Sequence, residues 1–137
     1  MKTILRTLLV AITVMMCATA AMAQANDGKR LSREELAVNQ AKYIAYELAL
    51  DEATTNKYVE TYCAYQKEVW ALGPRKDLNV EQRLERSQKV LDLRKKYLAI
   101  YRGFLTETQV DRAYRLEKKV LDRMRKKNAR MRKRQNR

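Results

Sequence analysis

One short phrase, written four times with variations, constrains the fold of this chain more than any other feature. In "LTETQV" at 105–110, Thr106 has the chemistry of a helix N-cap, and Gln109 stands three residues on, where its side chain reaches back to the Thr106 amide. Leu105 and Val110 flank this capping box as a hydrophobic staple. "LSREEL" at 31–36 repeats every element with Leu31, Ser32, Glu35 and Leu36. "LDEATT" at 50–55 is a weaker copy that keeps Leu50 and the cap Asp51 but carries Thr54 at the box position, and "LNVEQR" at 78–83 supplies Asn79 and Gln82. Each phrase marks a helix start. Gly73-Pro74 is a firm stop, and Gly103 stands where a left-handed C-terminal residue is expected. The punctuation predicts helices over 33–49, 52–72, 80–102 and 107–131. No stretch alternates with the period of a strand, so the predicted class is all-α.

Apolar spacing assigns the inward faces. In the second helix Tyr58, Tyr62, Tyr65, Val69 and Leu72 step by three and four; in the third, Val90, Leu93, Tyr97, Ile100 and Phe104 do the same. The fourth continues with Val110, Ala113, Glu117, Val120 and Met124, widened by Leu116 and Leu121. These seams lie close to a heptad repeat. Helices two to four would each be roughly 30–38 Å long at 1.5 Å per residue. With few large apolar residues to line them, four amphipathic helices in an elongated, thin hairpin assembly fit better than a compact bundle.

The core inventory sharpens that expectation. From residue 24 onward, Leu, Ile, Val and Phe number 23 of 114 residues, and eight tyrosines with Trp70 make up part of the shortfall. A monomer so built is marginal, which makes a homodimer a physical expectation. Residues 1–23 are excluded because they read as a cleaved signal peptide: Lys2 and Arg6, an apolar run from Leu8 to Ala20, then Ala21-Met22-Ala23. The remaining segments are a short flexible N-terminus at 24–31, a helical domain at 32–131 and a basic tail at 132–137. Export implies a periplasmic location.

Charge then speaks about partners. Removing Lys2 and Arg6 with the leader lowers the formal charge from +14 to +12. For an exported chain this points to acidic or unfolded protein surfaces, anionic membrane or lipopolysaccharide, with nucleic acid disfavoured. From Arg123 onward nine basic residues face no acidic one. The helix dipole accounts for only the last few of them, which makes Arg123, Arg125, Lys126, Lys127 and Arg130 candidate partner contacts. Tyr58, Tyr62, Tyr65 and Trp70 are the aromatic candidates, with burial in the core as the competing role for such a stripe.

Catalytic chemistry has little to work with. The chain has no histidine, and beyond the leader Cys63 is its one cysteine and Ser32 and Ser87 its serines. Acidic pairs such as Glu34-Glu35 and Asp51-Glu52 stand at helix starts, where capping explains them. No enzyme activity, cofactor or metal is therefore expected. Cys63 has two readings, a buried thiol or a bridge between protomers.

The "LTETQ" phrase at 105–109, with a degenerate "LDEAT" at 50–54 on a small basic helical chain, resembles the Spy/CpxP (LTxxQ motif) family of periplasmic stress proteins. "LALDEATTNKYVETYCAYQKEVWAL" and "YLAIYRGFLTETQVDRAYRLEKKVLDRMRK" look like its divergent Bacteroidetes members. The resemblance covers nearly all of the chain after residue 23. Leu105, Thr106 and Gln109 match the motif fully, whereas at the first site only Leu50 matches. The resemblance implies a cradle-shaped antiparallel dimer that acts as an ATP-independent chaperone. It also implies an alternative, a regulatory binding protein for a sensor kinase or anti-sigma system. The lack of histidine departs from the family's metal-responsive branch. A cationic binder of lipopolysaccharide or nucleic acid is the third alternative.

Overall fold

The structure is a computed structural model that describes residues 30–137. The expected signal peptide at 1–23 and most of the N-terminus at 24–31 lie outside the described residues. Arg33–Arg137 forms one compact unit. Its helices are α1 (Arg33–Glu47), α2 (Glu52–Ala71), α3 (Val80–Arg102) and α4 (Glu107–Gln135), and the described residues contain no strand. None of these helices is long and apolar enough to cross a membrane.

The helix starts follow local chemistry. At α4 the Gln109 amide donates to Thr106 Oγ1 (3.2 Å) and the Thr106 amide donates to Gln109 Oε1 (2.9 Å). Leu105 and Val110 are both buried beside this box, which completes the staple. Asn79 and Gln82 form the same reciprocal pair at α3. At α2 only half of the device exists: Asp51 accepts from the Thr54 amide at 2.7 Å, its carboxyl is held below the usual range by the Thr54 hydroxyl and that amide, and Thr54 returns nothing to the cap amide. α1 begins at Arg33, one residue after Ser32.

Three helix ends differ from expectation. Gly103 has φ −70° and is right-handed. The chain leaves α3 through a tight turn in which the Leu105 and Phe104 amides both donate to the Tyr101 carbonyl. A Cβ added at Gly103 would lie 3.1 Å from the Ile100 carbonyl oxygen, so close approach rather than handedness favours glycine there. The left-handed residue that no glycine announced is Ala49, with φ 54°. It occupies the C′ position of α1: its amide donates to the Tyr46 carbonyl and the Leu50 amide to the Ala45 carbonyl, the two bonds of a Schellman end. Gly73 (φ 82°) ends α2 similarly, and Pro74 after it has no amide to supply the second bond. α4 runs to Gln135, beyond its expected end at 131 and into the predicted tail.

Packing is sequential and cyclic: α1 lies on α2, α2 on α3, α3 on α4, and α4 on α1. α1 enters through an alanine stripe. Ala37, Ala41, Ala45 and Ile44 are buried, and short side chains let its backbone approach α2 closely. The core is thin. Among the described residues its thirteen buried apolar members are five tyrosines, four alanines and only four larger aliphatic side chains, Ile44, Leu48, Leu105 and Val110. α1 is about 22 Å long and α4 about 43 Å, so α4 overhangs it, and from Arg125 onward α4 is exposed throughout.

Candidate functional site

The sequence-predicted aromatic candidates divide sharply. Tyr58, Tyr62 and Tyr65 are buried, with Tyr62 only 1% exposed, so they form core rather than a surface for partners. The competing reading of the stripe holds because the aliphatic supply is small and rings must fill the space. Tyr58 packs on Tyr62 (6.1 Å between centroids) and on Tyr101 (5.3 Å), and Tyr65 meets Tyr97 edge-on at 5.5 Å. On α3 the inward row is Tyr97 and Tyr101; Ile100, assigned inward from spacing, is exposed. Trp70 is half-buried on α2 with the Arg33 guanidinium 4.6 Å above its ring. Cys63 is a free, half-buried thiol whose pKa is raised by burial.

Two polar devices cross this core. Gln40 of α1 accepts from the Tyr62 hydroxyl (3.0 Å) and donates to Met124 Sδ (2.8 Å), so one amide links α1 to both α2 and α4. Glu117, placed in the α4 stripe by its spacing, is buried at 6% exposure. Arg94 of α3 meets it with both terminal nitrogens, at 3.2 and 3.5 Å. The same guanidinium lies between the rings of Tyr65 (5.3 Å) and Tyr114 (5.6 Å). Sequence spacing revealed the position of Glu117 but not its partner, because Arg94 belongs to another helix.

Arg94→Ala should destabilise the fold by about 2–3 kcal/mol, below the usual 3–5 for a lost buried partner because water reaches Arg94. The paired change Arg94→Met with Glu117→Leu should recover most of this loss in urea unfolding. Equal damage from the single and paired variants would mean that Arg94 acts by packing alone.

The surface available to partners lies elsewhere. Val80, Leu84 and Leu91 are 73%, 67% and 46% exposed. Their spacings of four and seven place them on one face of α3. The pairs Tyr101–Tyr114 and Arg94–Glu117 run in opposite order along α3 and α4, so these two helices are antiparallel and the N-terminal half of α3 and the C-terminal half of α4 both lead away from the turn that joins them, toward the same end of the unit. That half carries exposed Met131 and the tail cations. Arg123, Arg125, Lys126, Lys127 and Arg130 are all exposed, and of these only Arg125 approaches a carboxylate among the described residues, Asp122 at 3.9 Å. Lys96 pairs with Glu68, and Arg102 clamps Glu107 across the α3–α4 turn at 2.9 and 3.1 Å. These pairs fasten the scaffold and involve none of the tail cations, of which Arg125 alone approaches a carboxylate among the described residues.

Among the described residues no cluster of carboxylates and thiols is assembled that could hold a metal ion. Comparison of the chain with protein-family models, curated proteins and solved structures finds no match.

Proposed function

We propose that this protein is an exported, periplasmic, ATP-independent chaperone-like protein that holds unfolding or acidic protein partners loosely. The observation that supports it is the exposed apolar row Val80, Leu84 and Leu91, set at the same end of the unit as a cationic helix end. A partly unfolded client offers both apolar side chains and carboxylates. Exposed cations attract it at long range, which makes capture fast and salt-sensitive. Covering three partly exposed aliphatic side chains contributes about 1–2 kcal/mol each, a sum of about 3–6 kcal/mol that falls short of the roughly 8 kcal/mol of micromolar binding, so the hold on a client is weak. Such weak holding permits a client to fold while bound. Aliphatic side chains take the contact role that the sequence assigned to tyrosines.

Light scattering of an unfolding client at low salt provides the test. The full chain should suppress aggregation without nucleotide, and Leu84→Ser with Leu91→Ser should raise the concentration needed severalfold. Unchanged scattering at a tenfold excess of protein would exclude the function. Capture of one dominant partner from an envelope extract, with clients bound poorly, would favour the regulatory alternative.

A further inference from the structure

Beside the apolar row, a cleft of about 390 Å³ opens where the α2–α3 turn meets the first turns of α3. Its walls are Arg75, Leu78, Arg83, Arg86, Ser87 and Val90, which is three guanidiniums and no carboxylate. None of the three arginines is in an ion pair among the described residues. Asp77, Glu81 and Glu85 are close in sequence but do not line the cleft.

Two of these arginines are held in place by backbone. Arg86 donates from one terminal nitrogen to the Gly73 carbonyl (3.2 Å), and Arg83 donates from Nε to the Leu78 carbonyl (2.9 Å). Ser87 braces the same wall by donating to the Arg83 carbonyl at 2.9 Å. Arg86 Nε is buried and has no acceptor among the described residues. A buried, charged donor without an acceptor is costly, and the three guanidiniums lining the cleft without a carboxylate partner are what an anion would satisfy.

We infer that this cleft is a binding site for a phosphomonoester, its dianion held by Arg75, Arg83 and Arg86 and its organic part lying on Leu78 and Val90. Guanidiniums match phosphate oxygens in pairs, and anchored ones lose little freedom on binding. The cleft has room for about a dozen waters at roughly 30 Å³ each, hence for a phosphate with an attached group. The ester is either a soluble metabolite or a lipid headgroup. This site is independent of the chaperone-like function and uses neither the apolar row nor the tail.

Calorimetric titration of the full chain at physiological salt with phenyl phosphate, alongside binding to phosphatidylcholine vesicles with or without phosphatidic acid, distinguishes the two sources. Saturable binding of phenyl phosphate identifies the soluble ester. Binding confined to phosphatidic acid vesicles identifies the lipid. In either case Arg86→Gln and the exposed Arg75→Gln should each weaken binding about tenfold, with circular dichroism unchanged for Arg75→Gln. A tail variant with Lys126, Lys127 and Arg130 all changed to Gln should bind as before. No binding to either probe, binding that survives both cleft substitutions, or loss confined to the tail variant would overturn the site.

Discussion

Replacing Tyr62 with alanine should come close to unfolding the protein. The side chain is 1% exposed, stacks on Tyr58 and donates its hydroxyl to Gln40. Removing a ring of this size from a packed interior costs about 3–5 kcal/mol, a large share of the roughly 5–15 kcal/mol that stabilises an ordinary domain. A core with four larger aliphatic residues has little with which to refill the space. For a unit of this size the melting temperature should fall by on the order of 15 °C or more. Tyr62→Phe isolates the hydroxyl and should cost only about 1 kcal/mol, the usual net value of one hydrogen bond. Tyr46→Ala, at a ring 81% exposed, should change stability by no more than about 0.5 kcal/mol. Thermal melts by circular dichroism compare the three. A Tyr62→Ala melt within a few degrees of the parent would mean that the tyrosine cluster does not organise the core.

The same rings should make the fold sensitive to base. Burial raises the pKa of Tyr58, Tyr62 and Tyr101 far above that of a free phenol, with the nearby Glu117 carboxylate reinforcing the shift in each. Tyr97 is pushed up to about 12 by desolvation and by its hydrogen bond with Glu68. A folded-state pKa raised above the unfolded value means that the native state retains protons which the unfolded chain releases. The stabilisation is therefore fully present below pH ~10 and declines as pH rises above it. Each of the three rings shifted furthest, Tyr58, Tyr62 and Tyr101, removes about 1.4 kcal/mol per pH unit, so together they remove about 4 kcal/mol per unit. Helix content and tyrosinate absorbance, followed from pH 9 to 13, should change together in one cooperative step near pH 11–12. Helices that persist while all the tyrosines ionise would show that these rings are open to solvent in the native state.

Helix starts were legible because a capping box needs only residues within one turn of each other. Thr106 with Gln109, Asn79 with Gln82, and Asp51 all hold the bonds their spacing predicts. The end of α1 was harder to see, since Ala49 takes a left-handed conformation without the glycine that normally signals it. The alanine stripe of α1 was equally silent: small side chains carry little periodic signal, yet they decide how closely two helices approach. On α3, Tyr101 and Ile100 are adjacent on the helix, and spacing alone chose the wrong one as inward-facing.

For the candidate surfaces the division is sharper. Charge was countable, so the cationic C-terminal half of α4 was evident from its residues. Which apolar residues remain outside was not, because exposure depends on what packs opposite. Tyr58, Tyr62 and Tyr65, whose spacing had put them on the inward face as well as among the partner candidates, lie inside, and Val80, Leu84 and Leu91, never singled out, lie outside. The sequence by itself determined the all-helical class, the helix starts and the basic balance, all of which follow from neighbours along the chain. Only the tertiary structure decided that Arg94 reaches Glu117, that Gln40 joins three helices, and that Arg75, Arg83 and Arg86 line one cleft. Pairings between helices and shared cavities depend on packing angles and register, which no local spacing specifies.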